Sequence, residues 1–270
     1  MGGVEDLSKH KFSCCHAAGA DTVLLFIHGI VEGPAQFRPL FRAAERRGIS
    51  AVSLLLPGHG SDGRAFARSR MRQWQEYVDA AAAHLRRRYP HVVLVGHSMG
   101  GLLAMETCRT ASGGIDGIFA LGLPLWLRVR AKGILEGYKA SSGRINPEEE
   151  SARAALDAYS IRGVRPLCYL RWLPRYKELF RLCRNVRRRL WALRIPVQVL
   201  QSADDEFVSR RTAERLKQLR PDWEVGVLAH SGHFYYSPED LKRTEDALFG
   251  FVDRVTRAAD ASQTVCESRR

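Results

Sequence analysis

Three short stretches carry residue types that can do nucleophilic chemistry together. Residues 96–100 read Gly-His-Ser-Met-Gly, a serine framed by glycines at G-x-S-x-G spacing. An aliphatic run, 92–95, precedes it, and the helix-forming stretch 102–110 follows it. Ser98 therefore falls at a strand-to-helix junction, where small neighbours let the two elements approach and a hydroxyl stands clear on a tight turn. A serine hydroxyl needs a base to take its proton, and the base needs a carboxylate to orient it. Asp204, Asp205 and Glu206 lie just past the apolar run 196–202, and His230 and His233 lie just past 223–229. The order serine, acid, histidine, each at the end of an apolar run, places all three at the edge of an open α/β sheet where catalytic groups gather. No lysine follows the glycines, which argues against a phosphate-binding loop.

The elements that would position these groups follow from the pattern of apolar residues. Short apolar runs at 22–29, 51–58, 92–96, 115–123, 196–202 and 223–229 read as strands. Amphipathic stretches at 35–47, 70–89, 102–110, 210–219 and 238–255 read as helices. Such alternation predicts an α/β fold, with a mostly parallel central sheet covered by helices on both faces. The polar tail from Ala258 is expected to fray.

Composition narrows the class. The chain has 270 residues, 45% of them hydrophobic, enough for a sizeable core. No apolar run reaches the 18 residues that a membrane span needs, and the first residues have no apolar core like that of a signal peptide. Met-Gly-Gly opens the chain, but the residues after it are a poor myristoylation context. The six cysteines form no C-x-x-C pair and no histidine cluster matches a zinc spacing, so reduced thiols and a cytoplasmic location are expected. The net charge is +13, and 125–194 holds 17 Lys+Arg against 6 Asp+Glu, which is +11 of it. This composition shift marks a separate basic module. It could meet an anionic membrane surface or an anionic acyl substrate, or be a solvated helix face. It lacks the glycine–aromatic interleaving of nucleic-acid modules, so no nucleic-acid partner is expected.

The stretches 24–37 (LLFIHGIVEGPAQF), 55–62 (LLLPGHGSD), 92–101 (VVLVGHSMGG), 199–208 (VLQSADDEFV) and 230–234 (HSGHF) together resemble the α/β-hydrolase superfamily, closest to its bacterial carboxylesterase and monoacylglycerol-lipase-like branch. They span nearly the whole chain except the basic module. The resemblance implies Ser98 as nucleophile, with His233, in the S-G-H pattern, as base. It implies Asp205 as the orienting acid, because Val208 then matches the valine of the family's G-x-x-D-x-x-V. Ser202 replaces that pattern's glycine, so Asp204 stays open as the alternative. His230 remains the rival base. The oxyanion hole would be the backbone N–H groups of Ile30 and Met99. His28 would shape the oxyanion loop, His59 would support a turn and His97 would border the acyl pocket. Trp74, Trp126 and Trp172 are read as packing. The core would comprise 1–124 and 194–270, with 125–193 as a basic, mainly helical cap over Ser98.

The expected activity is hydrolysis of carboxylic esters, short- to medium-chain or monoacylglycerol-like, through an acyl-enzyme, with no metal or organic cofactor. A thioesterase or acyltransferase is the alternative within the enzyme class. A non-catalytic ligand-binding protein on the same fold, or a membrane-surface binder working through the cap, lies outside it. The oligomeric state is left open.

Overall fold

In the computed structural model, residues 7–110, 113–128, 149–162 and 166–267 are described. Seven strands form the central sheet: β1 (Ser13–Cys15), β2 (Thr22–Ile27), β3 (Ser50–Ser53), β5 (His91–His97), β6 (Gly117–Leu121), β8 (Val197–Ser202) and β9 (Glu224–Leu228). Their spatial order is β1-β3-β2-β5-β6-β8-β9. Every neighbouring pair is parallel except β1 with β3. A small parallel pair, β4 (Ser61–Asp62) with β7 (Ile161–Arg162), stands apart from it.

The helices are α1 (Arg38–Arg46), α2 (Gly63–Arg68), α3 (Met71–Arg86), α4 (Met99–Thr110), α5 (Glu150–Ala158), α6 (Leu173–Arg188), α7 (Arg211–Leu219) and α8 (Pro238–Glu267). They bury both faces of the sheet. Alternate residues of a strand point to opposite faces, and β2 and β5 divide accordingly. Val23, Leu25, Ile27, Val92 and Leu94 pack in one core cluster, Leu24, Phe26, Val93 and Val95 in the other. All seven residues of β5 are buried, as befits a strand at the centre of a parallel sheet. In α3 the buried positions Trp74, Val78, Ala82 and Leu85 recur at helical spacing. The Asp62 carboxylate caps α2 by accepting from the N–H groups of Arg64 and Ala65.

Several boundaries differ from the sequence expectation. The strand expected over 51–58 pairs only through Ser53, and the chain then leaves the sheet toward Pro57-Gly58, where Gly58 takes φ +82°. α4 starts at Met99, immediately after the serine. The tail does not fray at Ala258. α8 continues to Glu267 through a stretch with neither Gly nor Pro, and His91 Nε2 meets Asp260 Oδ1 at 3.1 Å along its side.

Within 125–193, residues 129–148 lie outside those described, and the cap expectation for them lies there too. α5 packs on the 3-10 turn Pro34–Phe37 that follows the β2 loop, and α6 packs across α4 and α3. No helix among the described residues is long and apolar enough to cross a membrane.

Candidate functional site

Ser98 sits between the last residue of β5 and the first of α4. It is the one non-glycine residue with positive φ, 51°, among those described. Left-handed backbone costs an L-residue roughly 1–2 kcal/mol, so the surrounding structure must hold it. Its own N–H donates to the Leu121 carbonyl at 2.8 Å, tying the turn to β6. The flanking glycines make the turn possible. A Cβ on Gly96 would overlap the backbone of Gly101, and one on Gly100 would overlap the carbonyl of Ile27 at the end of β2.

Asp205 follows β8 and His233 follows β9. His233 Nδ1 lies 2.8 Å from Asp205 Oδ2, with both groups buried. The other carboxylate oxygen, Oδ1, accepts the N–H groups of Phe207 and Val208, each at 2.8 Å. Burial opposes the charge on Asp205, but the His233 ring and these two N–H groups hold its carboxyl below the usual range. The two sequence rivals stand outside this contact. Asp204 and His230 are exposed, and His230 uses its backbone N–H to bond Asp240 Oδ2 at 2.7 Å.

The loop after β2 is held by three side chains. His28 Nε2 accepts the Leu56 N–H at 3.0 Å, so Nδ1 carries the ring proton and donates to the Gly29 carbonyl at 2.9 Å. Burial keeps this ring neutral, its pKa well below the usual value. His59 does more than support its own turn: its Nε2–H donates to the Ile30 carbonyl at 2.8 Å. Burial lowers its pKa to about 4. The third is Glu32, which the sequence left without a role. Its Oε2 accepts the Gly29 N–H and lies 2.8 Å from His97 Nδ1, and its Oε1 lies 3.7 Å from His233 Nε2.

His97 thus stands between two acceptors. Its Nε2 is 3.0 Å from the His233 carbonyl, which can only accept. Nε2 therefore donates to that carbonyl, and Nδ1 faces the Glu32 carboxylate. Burial works against the Glu32 charge, but His97, His233 and the Gly29 N–H together hold the carboxyl below the usual range. For His233, burial favours the neutral ring, yet Asp205, Glu32 and Glu206 together raise its pKa to about 9.

Glu32, His97 and His233 offer three ligand atoms within 4.8 Å of one another. Two ligands of one tetrahedral zinc ion, at about 2.1 Å from it, stand roughly 3.4 Å apart. The 2.8 Å between His97 Nδ1 and Glu32 Oε2 is a hydrogen-bond distance, with the proton in the place a metal would take. The cluster fits a proton network and not a metal centre.

A cavity of about 360 Å³ opens beside these groups, with His97 and His233 on its wall together with Phe37, Phe234, Tyr236 and Leu241. Its volume falls within the ~300–1,000 Å³ of small-molecule pockets. Ser98 itself, 6% exposed, is not on that wall. The tryptophans pack as expected. Trp74 Nε1 donates to the Pro57 carbonyl at 2.8 Å, Trp172 Nε1 to the Gly63 carbonyl at 2.9 Å, and Trp126 lies under the guanidinium groups of Arg187 and Arg215.

The family model described as "Alpha/beta hydrolase family" matches residues 24–247, most of the chain. The chain belongs to the alpha/beta hydrolase family. This α/β hydrolase is 27% identical over 230 residues to phospholipase YtpA of Bacillus subtilis (strain 168), a match covering 77% of this chain and 83% of that protein. Among solved structures it superposes on one from work on LipS and LipT, two metagenome-derived lipolytic enzymes, with TM-score 0.69 and 20% identity, covering 90% of this chain and 97% of that one. The monoacylglycerol lipase of Paleococcus ferrophilus matches with TM-score 0.65 and 16% identity, covering 92% of this chain and 99% of its own. At these identities the structural matches speak for the fold.

Proposed function

We propose that this α/β hydrolase cleaves carboxylic esters through an acyl-enzyme, with Ser98 as nucleophile, His233 as base and Asp205 as the orienting acid. The observation that carries the reading is Ser98 held at φ 51° on the elbow. A fold keeps a non-glycine residue in that conformation where its side chain has work to do. The paired His233 and Asp205, and relatives that include a phospholipase, support the same reading.

Ser98 Oγ attacks the ester carbonyl as its proton passes to His233 Nε2. The carbonyl oxygen becomes an oxyanion, met by the N–H groups of Met99 and Ile30. Met99 opens α4, and the leading amides of a helix have no intrahelical acceptor to compete. The His59 bond to the Ile30 carbonyl fixes the second peptide of the pair. Collapse breaks the bond to the alcohol, which leaves with the proton from His233. Water, deprotonated by the same nitrogen, then attacks the acyl-serine, releases the acid and restores Ser98. Medium-length acyl chains or monoacylglycerol-like lipids suit a cavity of this size beside His233.

The test is hydrolysis of p-nitrophenyl esters from acetate to laurate by wild type and Ser98→Ala. Turnover lost in the variant sustains the reading, and the preferred chain length measures the pocket. A folded wild type silent on every ester, yet releasing thiol from acyl thioesters, would replace it with a thioesterase.

A further inference from the structure

We propose that the outer face of α6, with the turn after it, docks this protein on an anionic lipid surface. From residue 171 to residue 194 the sequence carries nine Lys+Arg and a single acid, Glu178. Three of these charged side chains are used internally. Arg175 is buried and donates to the carbonyls of Ala67 and Ser69, Glu178 accepts the Met71 N–H, and Arg187 reaches Trp126.

The outward side of the helix is different. Lys177, Arg181, Arg184 and Arg188 are exposed, and none forms an ion pair among the described residues. Leu173, Lys177, Phe180, Arg184 and Arg188 follow one another at spacings of three and four, so they line a single stripe. The inward stripe, Leu179, Leu182, Cys183 and Val186, is buried on the core.

Solvated cations alone would explain a basic face. They do not explain the large apolar groups set among them. Leu173 is 50% exposed, Phe180 47%, Leu170 62% and Trp191 71%. These are four of the eight large hydrophobics exposed among the described residues, gathered within 22 positions of the chain. A basic helix stripe that includes Leu173 and Phe180, with Leu170 and Trp191 exposed in the turns before and after the helix, has the chemistry of an interfacial surface. The cations meet lipid phosphates, and the apolar groups enter the headgroup–acyl boundary. Leu170 and Leu173 have no π-face to stack on a base, so a nucleic acid would leave them in water.

The proposal is independent of the ester reading, and its test keeps the two apart. The full chain is floated with vesicles of phosphatidylcholine alone and of phosphatidylcholine with one-third phosphatidylglycerol. Binding is expected to the second and not to the first, and to weaken with salt. Each cation near such a surface is worth about a fivefold gain in partitioning. Arg181→Gln/Arg184→Gln/Arg188→Gln should therefore lose of order a hundredfold. Phe180→Ser/Trp191→Ser should lose at least tenfold on the same vesicles. All five positions are exposed, and circular dichroism checks that the fold is kept. Ser98→Ala should bind as wild type does. No binding to phosphatidylglycerol vesicles, binding that neither variant changes, or displacement from vesicles by an RNA oligonucleotide that both variants release would each overturn it.

Discussion

Glu32 and His97, 65 positions apart in sequence, meet at 2.8 Å with both side chains buried. The contact joins the loop after β2 to His97, the last residue before Ser98. Through His97 Nε2 it also reaches the backbone of His233. One buried hydrogen-bonded pair thus spans the three segments that the proposed chemistry needs in register.

The pair bears on pH dependence. A base must be neutral to take a proton, and His233 is raised to about 9 by Asp205, Glu32 and Glu206 against its burial. The rate of ester cleavage should therefore climb with pH through the neutral range and level off near 9. Glu32→Gln removes one of the negative charges, lowers the His233 pKa and should move the midpoint of kcat/KM acidward by about one pH unit. An unmoved midpoint would mean that Glu32 acts only by holding the loop.

The acid assignment is testable by a pair of variants. Asp205→Asn keeps an oxygen for the N–H groups of Phe207 and Val208 but loses the charge facing His233. It should lower kcat by about 10³–10⁴ with the fold intact. Asp204→Asn, exposed and one residue earlier, should stay within about twofold of wild type. The reverse ranking in initial-rate assays would hand the role to Asp204.

Strain at the elbow can be released. Ser98→Gly should abolish turnover and still raise the unfolding free energy over Ser98→Ala by about 1 kcal/mol, because glycine takes positive φ without cost. Urea titration of the two inactive variants measures the difference. Equal midpoints would mean that the turn stores no strain.

Stability should fall on both sides of pH 6.5. His59 is neutral in the fold and its pKa drops to about 4 by burial. The unfolded chain therefore takes up that proton first as pH falls from 6.5 towards 4, which removes up to about 3 kcal/mol. His233 works in the opposite sense: its raised pKa gives stability that is present below 6.5 and fades as pH rises through 9. Thermal melts across pH should show both limbs, with the acid limb shallower in His59→Gln.

Much of this was legible in the sequence. β5, Ser98 and the start of α4 could be read from 92–105, because glycines at G-x-S-x-G leave few backbone alternatives. The ends of β8 and β9 carried Asp205 and His233, since apolar runs closed by polar residues mark where parallel strands emerge. Glu32 was hidden. A carboxylate three residues after a glycine in a loop has no periodic signature, and only the fold brings it to His97. The bond from His59 to Ile30 joins two loops 29 positions apart and was equally invisible. The tail was misread for another reason. Its polar residues point to fraying, but a run without Gly or Pro stays helical when the turns before it are packed, as those of Leu248, Phe251, Val252 and Val255 are.

The strand order carries one more consequence. β2 and β5 are neighbours, yet the chain leaves β2 toward β3 on one side and leaves β5 toward β6 on the other. Loops that depart in opposite directions cannot fill the space between their origins, so a crevice must open above that pair of strands. The loop after β2 and the turn that carries Ser98 are its two lips. Changes elsewhere on the molecule can alter what reaches this crevice, but its position is fixed by the winding of the sheet.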